Sequence, residues 1–228
     1  ETGIALAPMQ EFSTGTFSCA SCHFAGAGFQ AGTFQGIGDG GIGFGRNGEG
    51  RVRNNLSTGE MLDVQPIRSP SVMNTAYQTN MLWNGQFGGT GVNKGTESEW
   101  TQETPKENNH LGYEGLETQA LAGLGVHRMV IDADFIADTE YQQLFDVAFP
   151  SVPAAERYST LNAALAIAAY ERIVLANEAP FQRWLRGDRT ALNSFEKQGA
   201  ILFFGKANCV DCHSSPALSS MEFHALGM

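Results

Sequence analysis

Apolar positions recur with helical spacing through the second half of the chain, whereas the first half shows no regular period. Glu114–Gly123 predicts a short helix ended by its glycine. Asp134–Phe149 is periodic through Phe135, Tyr141, Leu144, Phe145 and Val147, which predicts a second helix. Pro150-Ser151-Val152-Pro153 is a break, and Ser151 or Pro153 can open the helix that follows. That helix is expected from Ala154 to about Ala176, with Leu161, Leu165, Ala168, Ile173 and Leu175 near helical spacing and alanines that allow close packing. Phe181–Asp188 reads as a short helix ended by Gly187, and Thr190–Phe204 as the last one. No β pattern of any length is present.

The first half is rich in glycine and aromatic residues. In Gly36-Ile37-Gly38-Asp39-Gly40-Gly41-Ile42-Gly43 the glycines look superficially like a phosphate loop, but the run lacks the Gly-Lys-Ser/Thr ending and a strand–turn–helix setting. It is expected to be a flexible loop. Arg46, Arg51, Arg53 and Arg68 follow in a polar stretch that is most simply solvated, Arg46 above all, though some of these guanidinium forks could pair with the carboxylates of a bound group. Residues 87–112 form a long polar insertion containing Trp100 and His110, and a loop of that length is either functional or mobile.

The 228 residues are 42% hydrophobic, enough for one large or two small cores. A net charge of −10 argues against nucleic acid and anionic membranes as partners and permits a basic redox partner. No apolar run reaches the roughly 18–20 residues that span a bilayer; the longest, Leu161–Tyr170, is too short. Glu1-Thr2-Gly3 has neither the basic start nor the apolar core of a signal peptide.

All four cysteines fall in two copies of one motif, Cys19-Ala20-Ser21-Cys22-His23 and Cys209-Val210-Asp211-Cys212-His213. C-x-x-C-H is the attachment sequence of c-type haem: two thiols can each add to a vinyl group, and the adjacent histidine can bind the iron beneath the ring. A disulfide would need no histidine, and a zinc site built from two C-x-x-C pairs would not need one after each pair. Two covalently bound haems imply electron transfer or redox catalysis. The expected fold is mostly α, in two cytochrome c-like haem lobes with long glycine-rich loops, residues 1–150 and 151–228, joined near the helix beginning at Ala154. Covalent haem is normally attached outside the cytoplasm, so the chain reads as the mature or trimmed product of an exported, periplasmic precursor.

Several phrases, in order, resemble the bacterial di-haem cytochrome c peroxidases and their MauG-type relatives across nearly the whole chain. They are Phe17–His23, Ile67-Arg68-Ser69-Pro70-Ser71-Val72-Met73-Asn74, Leu82-Trp83-Asn84-Gly85-Gln86, Leu116-Glu117-Thr118-Gln119-Ala120, Ala168–Arg172 with Ala179–Asp188, and Gly199–Lys206 before Cys209. The resemblance implies peroxide chemistry at the haem of His23 and electron entry through the haem of His213, with both histidines as proximal ligands. It implies Trp83 between the haems, assisting transfer; the alternative is a core tryptophan with its N–H satisfied. It further implies hydrogen peroxide as substrate and a small cytochrome c or cupredoxin as donor. MauG-type oxidation of a protein or organic substrate is the runner-up, and a non-catalytic electron-transfer subunit, in a homodimer or a larger redox assembly, is the third reading.

The sequence departs from that pattern in several places. Where the peroxidases carry a catalytic glutamate, this chain has Val126-His127-Arg128-Met129. His127 is open to three roles: general base beside a polarising Arg128, ligand of the first iron, or structural histidine. Gln119, His127 and Arg128 are expected to face the distal side of the His23 haem. No histidine precedes the Pro66-Ile67 phrase after His23; Glu60 stands near that place. The first haem is therefore expected to be open unless His110 or His127 closes it. The family pattern continues beyond the equivalent of Met228, which leaves His224 and Met228, with Met221, as distal candidates for the second haem. Arg68 replaces the asparagine near which the family often holds calcium, so weak or absent calcium is expected there.

Overall fold

The computed structural model describes residues 17–32, 36–43, 50–59, 62–64, 67–129, 131–215, 217–225 and 227. Its secondary structure is mostly helical: α1 Gly115–Val126, α2 Ala133–Ile136, α3 Glu140–Ala148, α4 Ala154–Arg157, α5 Thr160–Glu171, α6 Pro180–Leu185 and α7 Ser194–Phe204. The described strands are β1 Gly41–Ile42 and β2 Val52–Arg53, antiparallel with Gly41 opposite Arg53. Short 3₁₀ turns fill much of the rest, including one at each C-x-x-C-H motif.

The core is built on the α1–α5 pair. Leu116 of early α1 packs with Ala168 of late α5, together with Met81, Phe87 and Ala122. Leu124 of late α1 packs with Ala163 and Ala164 of early α5, together with Ile136 and Phe145. The helices therefore run antiparallel, and the alanines let their axes come close. Leu116 is 1% exposed, so Leu116→Ala should cost about 2–5 kcal/mol. Ends of opposite dipole meet here too. Arg172, capping the C-terminus of α5, donates to Glu117 at 3.0 Å and Glu114 at 3.2 Å in the first turn of α1, where each charge suits its helix end.

The helices differ from the periodic reading at their boundaries. The expected 134–149 helix is two, because Asp138 adopts a left-handed φ of 60° and α3 restarts after Thr139. The expected 154–176 helix also divides. Arg157 and the Tyr158 hydroxyl both donate to Asp146, at 2.6 and 2.8 Å, and the Ser159 hydroxyl caps α5 by accepting from the Asn162 amide. Beyond Glu171 the chain is held by Asn74 rather than by helix: the Asn74 amide donates to Val174 O, and its side chain accepts from the Ala176 amide. α1 passes through Gly123 and Gly125 before stopping, so glycine does not end it as the sequence predicts. α7 starts at Ser194 instead of Thr190, where Asn193 and Glu196 form a reciprocal capping box.

The glycine-rich run is anchored, not flexible, over its described residues. The Arg51 guanidinium, buried among them, donates to the carbonyls of Ile37, Gly38 and Gly43, with 2.7 Å to Gly38 and 3.0 Å to Gly43. Gly38 N donates to Asp63 O and Asp63 N to Asp39 O, at 2.8 and 3.0 Å. The polar insertion is likewise built, with Trp100 buried and Asn109 wholly buried.

Candidate functional site

Both C-x-x-C-H motifs adopt the same local structure. A 3₁₀ turn closes with Cys22 N to Cys19 O at 3.1 Å, and with Cys212 N to Cys209 O at 3.3 Å. The histidine amide returns to the first cysteine in each, at 2.8 and 2.9 Å. His23 Nδ1 lies 2.9 Å from Phe29 O, and His213 Nδ1 lies 2.9 Å from Leu218 O. A carbonyl only accepts, so each Nδ1 carries the proton and each Nε2 presents its lone pair. That second bond is how proteins orient a metal-binding imidazole and fix its tautomer. All four cysteines are free thiols. Among the described residues no three His, Cys, Asp or Glu side chains stand together as a metal site. Paired thiols beside an oriented imidazole, twice over, fit covalent attachment of two c-type haems.

The surroundings of the two motifs differ. Near the first, Gly36 lies so close to Cys22 Sγ that a Cβ there would collide with it. Burial and the neighbouring Asp63 carboxylate push the Cys22 thiol up to about 11. Asp63 also accepts from His127 Nδ1 at 2.8 Å. Because a carboxylate only accepts, His127 carries a proton on Nδ1, which leaves Nε2 as the ring nitrogen that can accept one. Arg128 donates to the buried Asp39 at 2.9 Å. His127 caps the end of α1 and Arg128 takes a left-handed φ of 54° just after it, so the helix end delivers both side chains to the same pair of loops. Gln119 is half-buried on α1, about two turns before that end.

Around the second motif there is little of this. His213 is exposed, with the Phe203 ring of α7 tilted against it at 5.9 Å. Phe203 in turn meets Phe204, which stacks on Phe181 of α6 at 5.8 Å. The tail after the motif folds back, Ser220 N donating to Cys212 O at 3.0 Å.

The remaining predicted residues are placed as follows. Trp83 is 97% exposed, which rules out the core reading; the turn that carries it projects the ring away from the apolar cluster below. His110 is engaged by the insertion, with Nε2 2.9 Å from Trp100 O and its ring edge-on to Trp100. His224 is exposed, 3.1 Å from the Ser220 hydroxyl. Met228, Glu60 and Arg46 lie outside the described residues. Arg68 donates to Ala31 O at 2.8 Å and to Gly32 O at 3.4 Å, and Arg53 donates to Ser57 O, so these guanidinium forks hold backbone carbonyls. Sequence reading missed Asp39 and Asp63. Isolated acids carry no spacing signal, and their partners stand 89 and 64 residues away.

Comparison with known proteins agrees with this geometry. The family model described as di-haem cytochrome c peroxidase matches residues 12–190. The methylamine utilization protein MauG of Methylorubrum extorquens is 28% identical over 94% of this chain and 48% of its own length. The cytochrome-c peroxidase IdrP1 of Pseudomonas sp. strain SCT is 30% identical over 94% of this chain and 45% of its own. The chain thus spans about half the length of the curated relatives it matches. A crystal structure of a MauG-like protein associated with microbial copper homeostasis superposes with a TM-score of 0.52 at 26% identity, covering 95% of this chain and 51% of that one. On its motifs, its fold and the extent of the match, this chain belongs to the di-haem cytochrome c peroxidase family.

Proposed function

We propose that this chain forms the peroxide-reducing part of a c-type di-haem oxidoreductase. Hydrogen peroxide would be reduced beside His23, and electrons from a small cytochrome c or cupredoxin would enter beside His213. The observation that carries the reading is the His127–Asp63 pair next to Cys22, for which the second motif has no described counterpart. When bound, the haems supply the redox centres and the two electrons. The reduction also consumes two protons, giving two waters from one peroxide. His127 Nε2 is suited to take the first proton from peroxide and return it to the leaving oxygen. Asp63 fixes the imidazole in the required tautomer, the arrangement that orients a base in other enzymes. Arg128, held by Asp39, sets positive charge beside the base, and Gln119 is assigned to the same distal pocket.

Cys19, Cys22, Cys209 and Cys212 hold the haems by thioether bonds, with His23 and His213 beneath them. Trp83 is assigned to electron passage between the two sites. Calcium is expected to be weak or absent beside Arg68, whose guanidinium donates to the carbonyls of Ala31 and Gly32. His224 is retained as a distal candidate for the second site. No helix among the described residues is long and apolar enough to cross a membrane, and covalent haem attachment favours an extracytoplasmic location. The second reading, oxidation of a protein or organic substrate, draws support from Trp83, whose exposed ring could pass an oxidising equivalent to a partner.

The test uses the haem-loaded protein. Peroxide turnover with a reduced small cytochrome c should proceed in the native chain and fall in His127→Ala while both haems stay attached. Two low-spin haems with no peroxide consumption would make the chain an electron relay instead.

A further inference from the structure

The turn that carries Trp83 is held from outside itself. Met81 pairs with Phe87 across it, and Gly85 N closes it onto Leu82 O at 3.0 Å. Leu82 takes a φ of 69°, a left-handed conformation that a branched side chain disfavours. Such a turn persists only when its surroundings impose it. Here two asparagines of the polar insertion do so. Asn109, wholly buried, accepts from Gly88 N at 2.9 Å and donates to Gln86 O at 2.9 Å. Asn93 donates to Gly85 O at 2.7 Å and to Gly88 O at 3.0 Å. Four side-chain hydrogen bonds thus fall on the backbone of Gly85, Gln86 and Gly88 within one turn. Gly89 comes so close to Asn109 O that a Cβ at this glycine would collide with it.

The turn also touches the second motif's tail. The Phe223 ring packs on Gly85 so closely that no Cβ would fit there, and that tail is tied to Cys212 through Ser220. We propose that residues 89–112 act, through Asn93 and Asn109, as a positioning clamp that fixes Trp83 for electron passage between the two motif sites. The inference rests on the relay role assigned to Trp83 above. Asn93 and Asn109 are positioning residues, acting on transfer only through the turn.

The test measures the rate of electron transfer between the haems of the loaded full chain after one-electron reduction. Trp83→Phe, Asn109→Ala, Asn93→Ala and the double variant Asn109→Ala/Trp83→Phe are compared. Asn109→Ala should slow transfer about tenfold with both haem absorption spectra unchanged, and should slow it no further in the Trp83→Phe background. Asn93, only half-buried, should give a smaller loss of about threefold, and decides the matter if Asn109→Ala fails to fold. Equal slowing in both backgrounds, or Trp83→Phe slowing transfer while neither asparagine variant does, overturns the clamp alone. An unchanged rate in Trp83→Phe overturns the relay reading, and the clamp with it.

Discussion

The two C-x-x-C-H sites are near copies in backbone and unlike in company. Each turns through the same 3₁₀ geometry and ties its histidine Nδ1 to a carbonyl at 2.9 Å. Yet the first has Asp63 and Arg51 as charged neighbours, with His127 bonded to Asp63 behind them, while the second is packed by the aromatic residues of α6 and α7. The motif therefore specifies only the local turn and the orientation of its histidine. What a site can do with a proton depends on side chains brought from other parts of the fold. A site with an oriented base suits bond-breaking that consumes protons; one lined by rings suits electron passage.

The largest expected effect breaks this contrast at the first site. His127→Ala should lower peroxide turnover by roughly 10²–10⁴, measured as peroxide-dependent oxidation of a reduced donor, without loss of either haem. If His127 is an iron ligand instead, the same change turns a low-spin haem high-spin and raises reactivity. Asp63→Asn comes next. It keeps the shape but allows the wrong tautomer, and kcat should fall about 10- to 100-fold with KM for peroxide little changed. Conservative changes at Phe203, the neighbour of His213, should leave the chemical step as it was.

A smaller effect concerns pH. Burial at the end of α5 pushes Glu171 up to about 7. A carboxyl raised in the folded state binds more protons there than when unfolded, so stability is full below about pH 4.5 and falls as pH rises through 7. Glu171→Gln should flatten that decline and add about 1–3 kcal/mol at pH 8, read from denaturant unfolding at several pH values. The smallest effect lies at the second site. Asn193→Ala removes the α7 cap and should cost about 1 kcal/mol, with peroxide turnover unchanged.

Much of the fold was legible in the sequence because it rests on local signals. The C-x-x-C-H spacing marked the two turns that tie their histidines to carbonyls, and helical periodicity found α1, α6 and α7 within a few residues. The breaks at Asp138 and Tyr158 were missed because they arise from one left-handed residue and from a carboxylate, Asp146, that lies elsewhere in the chain. The same reason hid the acids of the candidate site. His127 and Arg128 were visible as replacements for a missing glutamate, but Asp63 and Asp39 meet them only through the tertiary fold. For Trp83 the sequence leaves a relay and a core ring equally open, and only the turn with its left-handed Leu82 shows the ring at the surface.

We propose that the two sites differ in kind, with the open, reactive one at His23. Electron paramagnetic resonance of the ferric, haem-loaded protein tests it most directly when the sites are emptied in turn. A high-spin signal that responds to peroxide should vanish in Cys19→Ala/Cys22→Ala and persist in Cys209→Ala/Cys212→Ala. Two low-spin signals in the native chain, or a peroxide-sensitive signal lost with the second motif, would contradict it.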